Sequence, residues 1–234
     1  MPTVYLPKAD RYAAGVSESP DAATVDLLGL LACGELFAFE RLARDASLAP
    51  ALEDKAELGG MAVAEFNHFT LLRQRLTDFG VDATAAMTPF VQPLTEFHAR
   101  TAPADWLEGL VKAYVGDAIA ADFYREIAVH LDDSARDLVL SVLADTGHAS
   151  FVVDRVRQAI AADARVGGRL ALWGRRLIGE VLSQAQRVAV ERESLASLII
   201  GSGRPGLDLV EIGRMFGRLT EAHTKRMAAL GLSA

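Results

Sequence analysis

Six side chains in this sequence could act together chemically, and they fall into two matching sets. Glu35 stands inside Thr24–Asp45 (TVDLLGLLACGELFAFERLARD), a stretch that is apolar almost all round. A helix of that kind is a buried one, and an ionised carboxylate within it is costly unless something compensates it. About thirty residues on comes Glu65-Phe66-Asn67-His68, a Glu-x-x-His. The run YVGDAIAAD, residues 114–122, repeats the first feature: Gly116-Asp117 matches Gly34-Glu35, and Asp122 matches Glu40. Asp145-Thr146-Gly147-His148 repeats the second as an Asp-x-x-His. Glu35 and His68 are 33 positions apart, Asp117 and His148 31. Residues i and i+3 share a helix face, so each pair presents a carboxylate beside an imidazole. Four carboxylates balance the charge of two divalent ions, and two imidazoles complete an oxygen and nitrogen shell of hard-to-borderline character. A carboxylate on two helices and a carboxylate-x-x-His on two others is the donor set of a two-metal centre inside a bundle, iron or manganese.

Those residues converge only if four helices hold them. Residues 1–20 contain Pro2, Pro7, Gly15 and Pro20 and read as an extended arm. The first helix spans about 21–46, with Asp21 as its N-cap after Pro20. Pro50 opens a second, ending near Phe79 before Gly80. Residues 80–103, with Pro89, Pro93 and Pro103, read as a long connection holding a short helix around Leu94–Arg100. A third helix runs from about Ala104 to Leu131, and Asp132-Asp133-Ser134 turns the chain into a fourth that reaches about Ala164. Short connections make antiparallel neighbours, and one long crossover joins the two hairpins. Gly167-Gly168 reads as a break, followed by a helix over about Arg169–Ile200. The loop 201–206 (GSGRPG) and a last helix over about Leu207–Leu230 complete the chain. Strand signals are weak throughout. The fold class is therefore all-α: a four-helix bundle over 21–164 and a C-terminal helical pair over 165–234 packed on it.

Composition limits the function classes. One cysteine, Cys33, excludes an intramolecular disulfide and a cysteine metal cluster. The first residues lack the apolar core of a signal peptide, and no window holds about 18 uninterrupted apolar residues, so the expectation is a soluble cytoplasmic protein with no membrane partner. The net charge of −7 is unevenly spread. Residues 1–150 carry 11 Lys and Arg against 23 Asp and Glu, whereas residues 151–234 carry 13 against 8. The basic C-terminal part marks either a surface for a polyanion or a solvated helix face.

Through Glu35, Glu65-Phe66-Asn67-His68, Asp117 and Asp145-Thr146-Gly147-His148, the sequence resembles the ferritin-like di-iron carboxylate superfamily over about 21–164. Within it the chain looks most similar to the branch of tRNA hydroxylases that act on an isopentenyl group of a modified adenosine. The resemblance implies the ferritin-like bundle with its long crossover between the second and third helices. It also implies two Fe ions, or Mn, held by Glu35, Glu65, His68, Asp117, Asp145 and His148. A ferredoxin or reductase would donate electrons, and a tRNA would be the substrate. The chain departs from the pattern at Asp117 and Asp145, where Glu is usual. Each loses a methylene of reach, so its helix must approach more closely or bind one metal only. Gly116 and Gly147, beside them, permit close backbone approach at about 1 kcal/mol each in helix propensity.

Other residues have both a plain and a functional reading. Tyr114, three residues before Asp117, is a core tyrosine or a hydrogen-bond partner of a ligand. Asp122 lies about 140° round the helix from Asp117, on a flank with Glu40. His98, His130 and His223 have no carboxylate three residues before them and read as surface or cap residues. Phe37, Phe66 and Phe69 read as core or as walls of a substrate pocket. Arg175, Arg176, Arg187 and Arg192 make one helix basic and are the candidate nucleic-acid contacts, with Trp173 able to stack on a base. Leu198, Ile199 and Ile200 before a glycine loop suggest a buried contact, and a homodimer would supply one.

Three functions fit. An oxygen-activating hydroxylase uses the metals to attack an unactivated C–H bond and suits the basic C-terminal helices. A ferritin- or rubrerythrin-type iron oxidase or peroxide scavenger uses the same ligands, but a rubredoxin centre is excluded by the single cysteine. A non-enzymatic helical module would have kept the bundle and lost the metals.

Overall fold

The computed structural model describes residues 20–144, 149–200 and 209–234. The expected N-terminal arm, Asp145 and His148, and the loop 201–206 lie outside the described residues, as do the side chains of Ile199 and Ile200. Among the described residues the chain is helical, with no strand: a long N-terminal helix, the bundle helices and further C-terminal helices.

α1 (Ala22–Asp45) starts where Asp21 accepts a hydrogen bond from Thr24 N at 2.7 Å, an N-cap that satisfies one of the helix's free donors. After one 3₁₀ turn, α2 (Leu52–Asp78) returns alongside it and ends at Gly80, whose φ of 73° favours a residue without Cβ.

The long connection differs from expectation. Residues 83–100 form one helix, α3 (Ala83–Arg100), capped by Asp82 and running through Pro89 and Pro93. Each proline removes one backbone donor, but Ala86, Phe90, Leu94 and Phe97 recur at helical spacing and pack inward. α3 lies so close to α1 that a Cβ on Gly29 would overlap the carbonyl oxygen of Ala86.

The third bundle helix comes in three pieces. α4 (Trp106–Val111), capped by Asp105, leads into a π-helical turn at Lys112–Gly116, where Asp117 N donates to the carbonyl of Lys112; α5 (Asp117–Ala128) follows. The fourth is divided as well: α6 (Asp133–Val142) ends in a turn at Leu143, and α7 (Ala149–Ala162) resumes beyond the undescribed residues.

The break expected at Gly167-Gly168 falls earlier. Asp163 caps α8 (Ala164–Glu191), which passes straight through both glycines, where Gly167 sits against Ile160. Arg192 separates α8 from α9 (Glu193–Ile200), and α10 (Leu209–Ala229) ends the chain. Trp173 of α8 donates from its indole N–H to the carbonyl of Glu108 at 2.9 Å, and Leu195 and Leu198 of α9 are buried against α1.

The helices enclose two apolar cores. One gathers Leu27, Leu28 and Leu31 of α1 with Leu72 and Leu76 of α2, Phe90 and Val139. The other gathers Leu42 of α1 with Leu58 and Ala62 of α2, Val115, Ile119, Val156 and Leu177. Between them α1 and α2 cross a polar layer at about residues 34–41 and 63–68, where no side chain is fully buried except Arg41. By length and composition α1 with its following turn could cross a membrane, but here its apolar side chains supply both cores.

Candidate metal centre

The polar layer brings Glu35, Glu65 and His68 together. Nδ1 of His68 lies 3.5 Å from Oε2 of Glu35 and 3.5 Å from Oε2 of Glu65, and one donor atom from each of the three falls within 4.8 Å of the others. Two ligands each about 2.1 Å from one ion at a tetrahedral angle stand about 3.4 Å apart, so the spacing suits a shared ion. Oε2 of Glu35 is buried and accepts no hydrogen bond. A buried oxygen without a donor costs on the order of 1–3 kcal/mol, and an ion would remove that cost. The cluster therefore has the spacing, donor chemistry and unmet valence to hold a metal ion.

Its electrostatics show the same need. Burial, reinforced by Glu65 and opposed by His68, holds the Glu35 carboxyl well above the usual carboxylate range. Burial also pushes Glu65 upward, but its hydrogen bonds with Glu35 and His68 outweigh this and leave it lowered. Glu35 and then Glu65, each 3.5 Å from the ring, raise the His68 imidazole to about 9. His68 thus carries a proton at neutral pH.

Asp117 has a different partner. Arg41, only 6 % exposed, donates from Nη2 to Oδ2 of Asp117 at 2.6 Å and from Nη1 to Asp45 at 3.4 Å. Burial lifts the Asp117 carboxyl to about 6, with Arg41 opposing. Lys112, at 1 % exposure, donates to the carbonyl of Thr101 at 2.8 Å and to Nδ1 of His98 at 3.1 Å. Burial, then Arg41, brings the Lys112 ammonium down to about 7. One fixed cation, Arg41, and one titratable amine, Lys112, therefore stand where the sequence reading placed only metal, and Asp117 has only Oδ1 clear of Arg41 for a second ion. Asp145 and His148, the remaining predicted ligands, lie outside the described residues.

A cleft of about 410 Å³ opens on this layer, and Glu35, Glu65, His68, His98, Tyr114, Asp117, Tyr124 and Arg226 line it. Tyr114 packs against the second core and also lines the cleft wall. Asp122 faces Arg125 at 2.9 Å and Arg226 at 2.7 Å, on the flank, while Glu40 pairs with Arg44 at the surface. Two of the histidines are not surface residues: His98 is stacked 5.8 Å from Phe37 and held neutral chiefly by burial, and His223 is 3 % exposed. His130 is partly buried in the turn after α5. Phe69 is buried and Phe37 packs against the first core, whereas Phe66 is 41 % exposed. Cys33 is fully buried, its thiol pushed up to about 11 by burial.

The basic helix is partly engaged within the chain. Arg175 donates to the Ser233 carbonyl, Arg176 to the Arg100 carbonyl beside the Trp173 ring, and Arg187 pairs with Glu96; all three remain exposed. Arg192 is committed to Asp26, which Ser194 also reaches.

Arg41 and Lys112 are what sequence reasoning missed. The signal was present in the spacing, with Asp45 four residues after Arg41 and Asp117 five after Lys112.

The model of a family described as a ferritin-like domain of actinomycetes matches residues 18–202. No curated protein matches the chain.

Proposed function

The chain belongs to the ferritin-like domain family of actinomycetes, and from that premise we propose that it is a non-haem metal carboxylate oxidoreductase, an oxygen-dependent hydroxylase. The observation that carries this reading is the orphaned oxygen of Glu35 beside Glu65 and His68 on the wall of a 410 Å³ cleft. Glu35, Glu65 and His68 would hold the first ion. Asp117, with Asp145 and His148, would supply the place of a second; iron is the proposed metal for both and manganese the alternative. When bound, the metals supply redox chemistry toward dioxygen and a C–H bond.

The protein's own residues do the rest. His68 must give up its proton to join the donor set. Arg41 keeps positive charge against Asp117, and Lys112, brought down to about 7, can gain or lose a proton nearby. The core side chains above and below the layer, Leu31 and Ile119 among them, keep bulk water from reaching it through the helices. A tRNA bearing an apolar side chain is the proposed substrate, facing Arg175, Arg176 and Arg187, with a ferredoxin or reductase as donor and the cytoplasm as location.

Anaerobic titration with ferrous iron tests the first step, and oxygen consumption with a chemical reductant and tRNA tests the second. Iron held at stoichiometric level, together with a tRNA nucleoside gaining one oxygen atom, supports the hydroxylase. Rapid reductant-independent iron oxidation by a large oligomer, with no organic product, replaces it with the ferritin-type oxidase. A chain that retains no metal is the non-enzymatic helical module.

A further inference from the structure

A second chamber, of about 90 Å³, adjoins the cleft, and Leu94, Phe97, Ala120 and Tyr124 line both. α1, α3 and α5 form three of its sides, and α8 and α9 close it. All its wall residues are apolar except Tyr124 and Gln184.

Gln184 is 7 % exposed, and its Nε2 has no hydrogen-bond partner. Its orientation is fixed, because Arg100 donates to its Oε1 at 3.2 Å while the same guanidinium is held by Glu180 at 3.0 Å. The oxygen is thereby committed to Arg100 and the amide N–H₂ is the free end. A buried donor without an acceptor costs on the order of 1–3 kcal/mol. An ordered water needs two to four polar partners, and this wall offers at most Gln184 and Tyr124, so a ligand that brings its own apolar surface and one acceptor suits it better.

We propose that this chamber binds a small apolar molecule, or the apolar end of a larger one, carrying a single carbonyl or ether oxygen that accepts from Gln184 Nε2. The space holds roughly six to nine water-sized groups, the size of one ring with a short substituent. As the substrate class of the neighbouring centre, this ligand rests on the proposed function; as a binding site, it does not.

The test uses the metal-free full chain and two probes of nearly equal shape, acetophenone and α-methylstyrene, which differ by a carbonyl oxygen in place of a methylene. Acetophenone binds saturably at one site, about fivefold more tightly than the alkene, as one net hydrogen bond requires. Gln184→Met brings the two probes within about twofold, Ala185→Phe removes both, and Lys225→Gln, at the surface beside Glu221, leaves both unchanged. Methyl resonances of Ile127 and Val181 shift with acetophenone and locate it even where Ala185→Phe folds poorly. Absence of saturable binding, equal affinities in the parent chain, or a carbonyl preference that survives Gln184→Met would each overturn the proposal. Failure of the chain to bind metal would remove the substrate role and leave the site standing.

Discussion

His68 links metal binding to pH, and the sign follows from the structure. Its imidazole is raised to about 9 by Glu35 and Glu65, the same groups that would share an ion with it. A metal must therefore displace the His68 proton, and it must also displace whatever proton Glu35 retains through burial. For His68 alone, pH 7 lies about two units below the folded value, so apparent affinity is about a hundredfold below its high-pH limit, or about 3 kcal/mol. Affinity for Mn(II) is expected to rise at least tenfold per unit between about pH 6.5 and 8.5 and to level off above about 9. Calorimetric titration in buffers of different protonation enthalpy counts the released protons directly, between about one and two per ion at pH 7. His68→Gln removes one of them and weakens binding by an order of magnitude or more. A flat pH profile, or a proton count near zero, would refute the assignment of these residues as the donor set.

Four further outcomes follow. Without metal, the raised His68 pKa contributes stability that is fully present below about pH 6.5 and lost as pH rises through about 9; the melting temperature falls over that window and His68→Gln flattens the fall. Arg41→Met leaves Asp117 beside the cleft without its partner, so metal-free stability drops by about 3 kcal/mol in urea unfolding, the lower end for a broken buried pair because Asp117 is partly open to solvent. Excess Mn(II) restores part of that loss, because the freed carboxylate becomes available to a cation. Gly29→Ala forces a methyl into the backbone of Ala86 and costs about 2 kcal/mol or more by denaturation, whereas Gly174→Ala meets only the flexible end of Met227 and costs less.

How much the sequence disclosed can be traced residue by residue. Glu35, Glu65 and His68 were legible because a carboxylate in an apolar helix and an i, i+3 pair are each unusual there, and the structure sets them side by side. The ends of α1 and α2 were legible from Asp21 and Gly80, which act through local backbone chemistry alone. α3 is not, because Pro89 and Pro93 read locally as breakers, and only the packed structure shows that burial of the stripe through Ala86, Phe90, Leu94 and Phe97 outweighs two lost hydrogen bonds. Gly167-Gly168 misled for a similar reason, since Asp163 supplies the cap that decides where α8 begins. Arg41 and Lys112 are not legible in the same way, because which cation meets Asp117 depends on packing between α1 and the third bundle helix.

The wide turn at Lys112–Gly116 restricts how chains of this kind can change in length. Removing one residue there would restore ordinary winding and turn α4, relative to Asp117, by about 100° with a 1.5 Å shift. Glu108, Leu110 and Val111, now buried against α8 and the second core, would then be carried away from it, or Asp117 would swing out of the cleft. A lineage could therefore exchange many side chains along this helix more readily than it could delete a single one, and the spacing between Asp105 and Asp117 is as much a part of the centre as the carboxylates themselves.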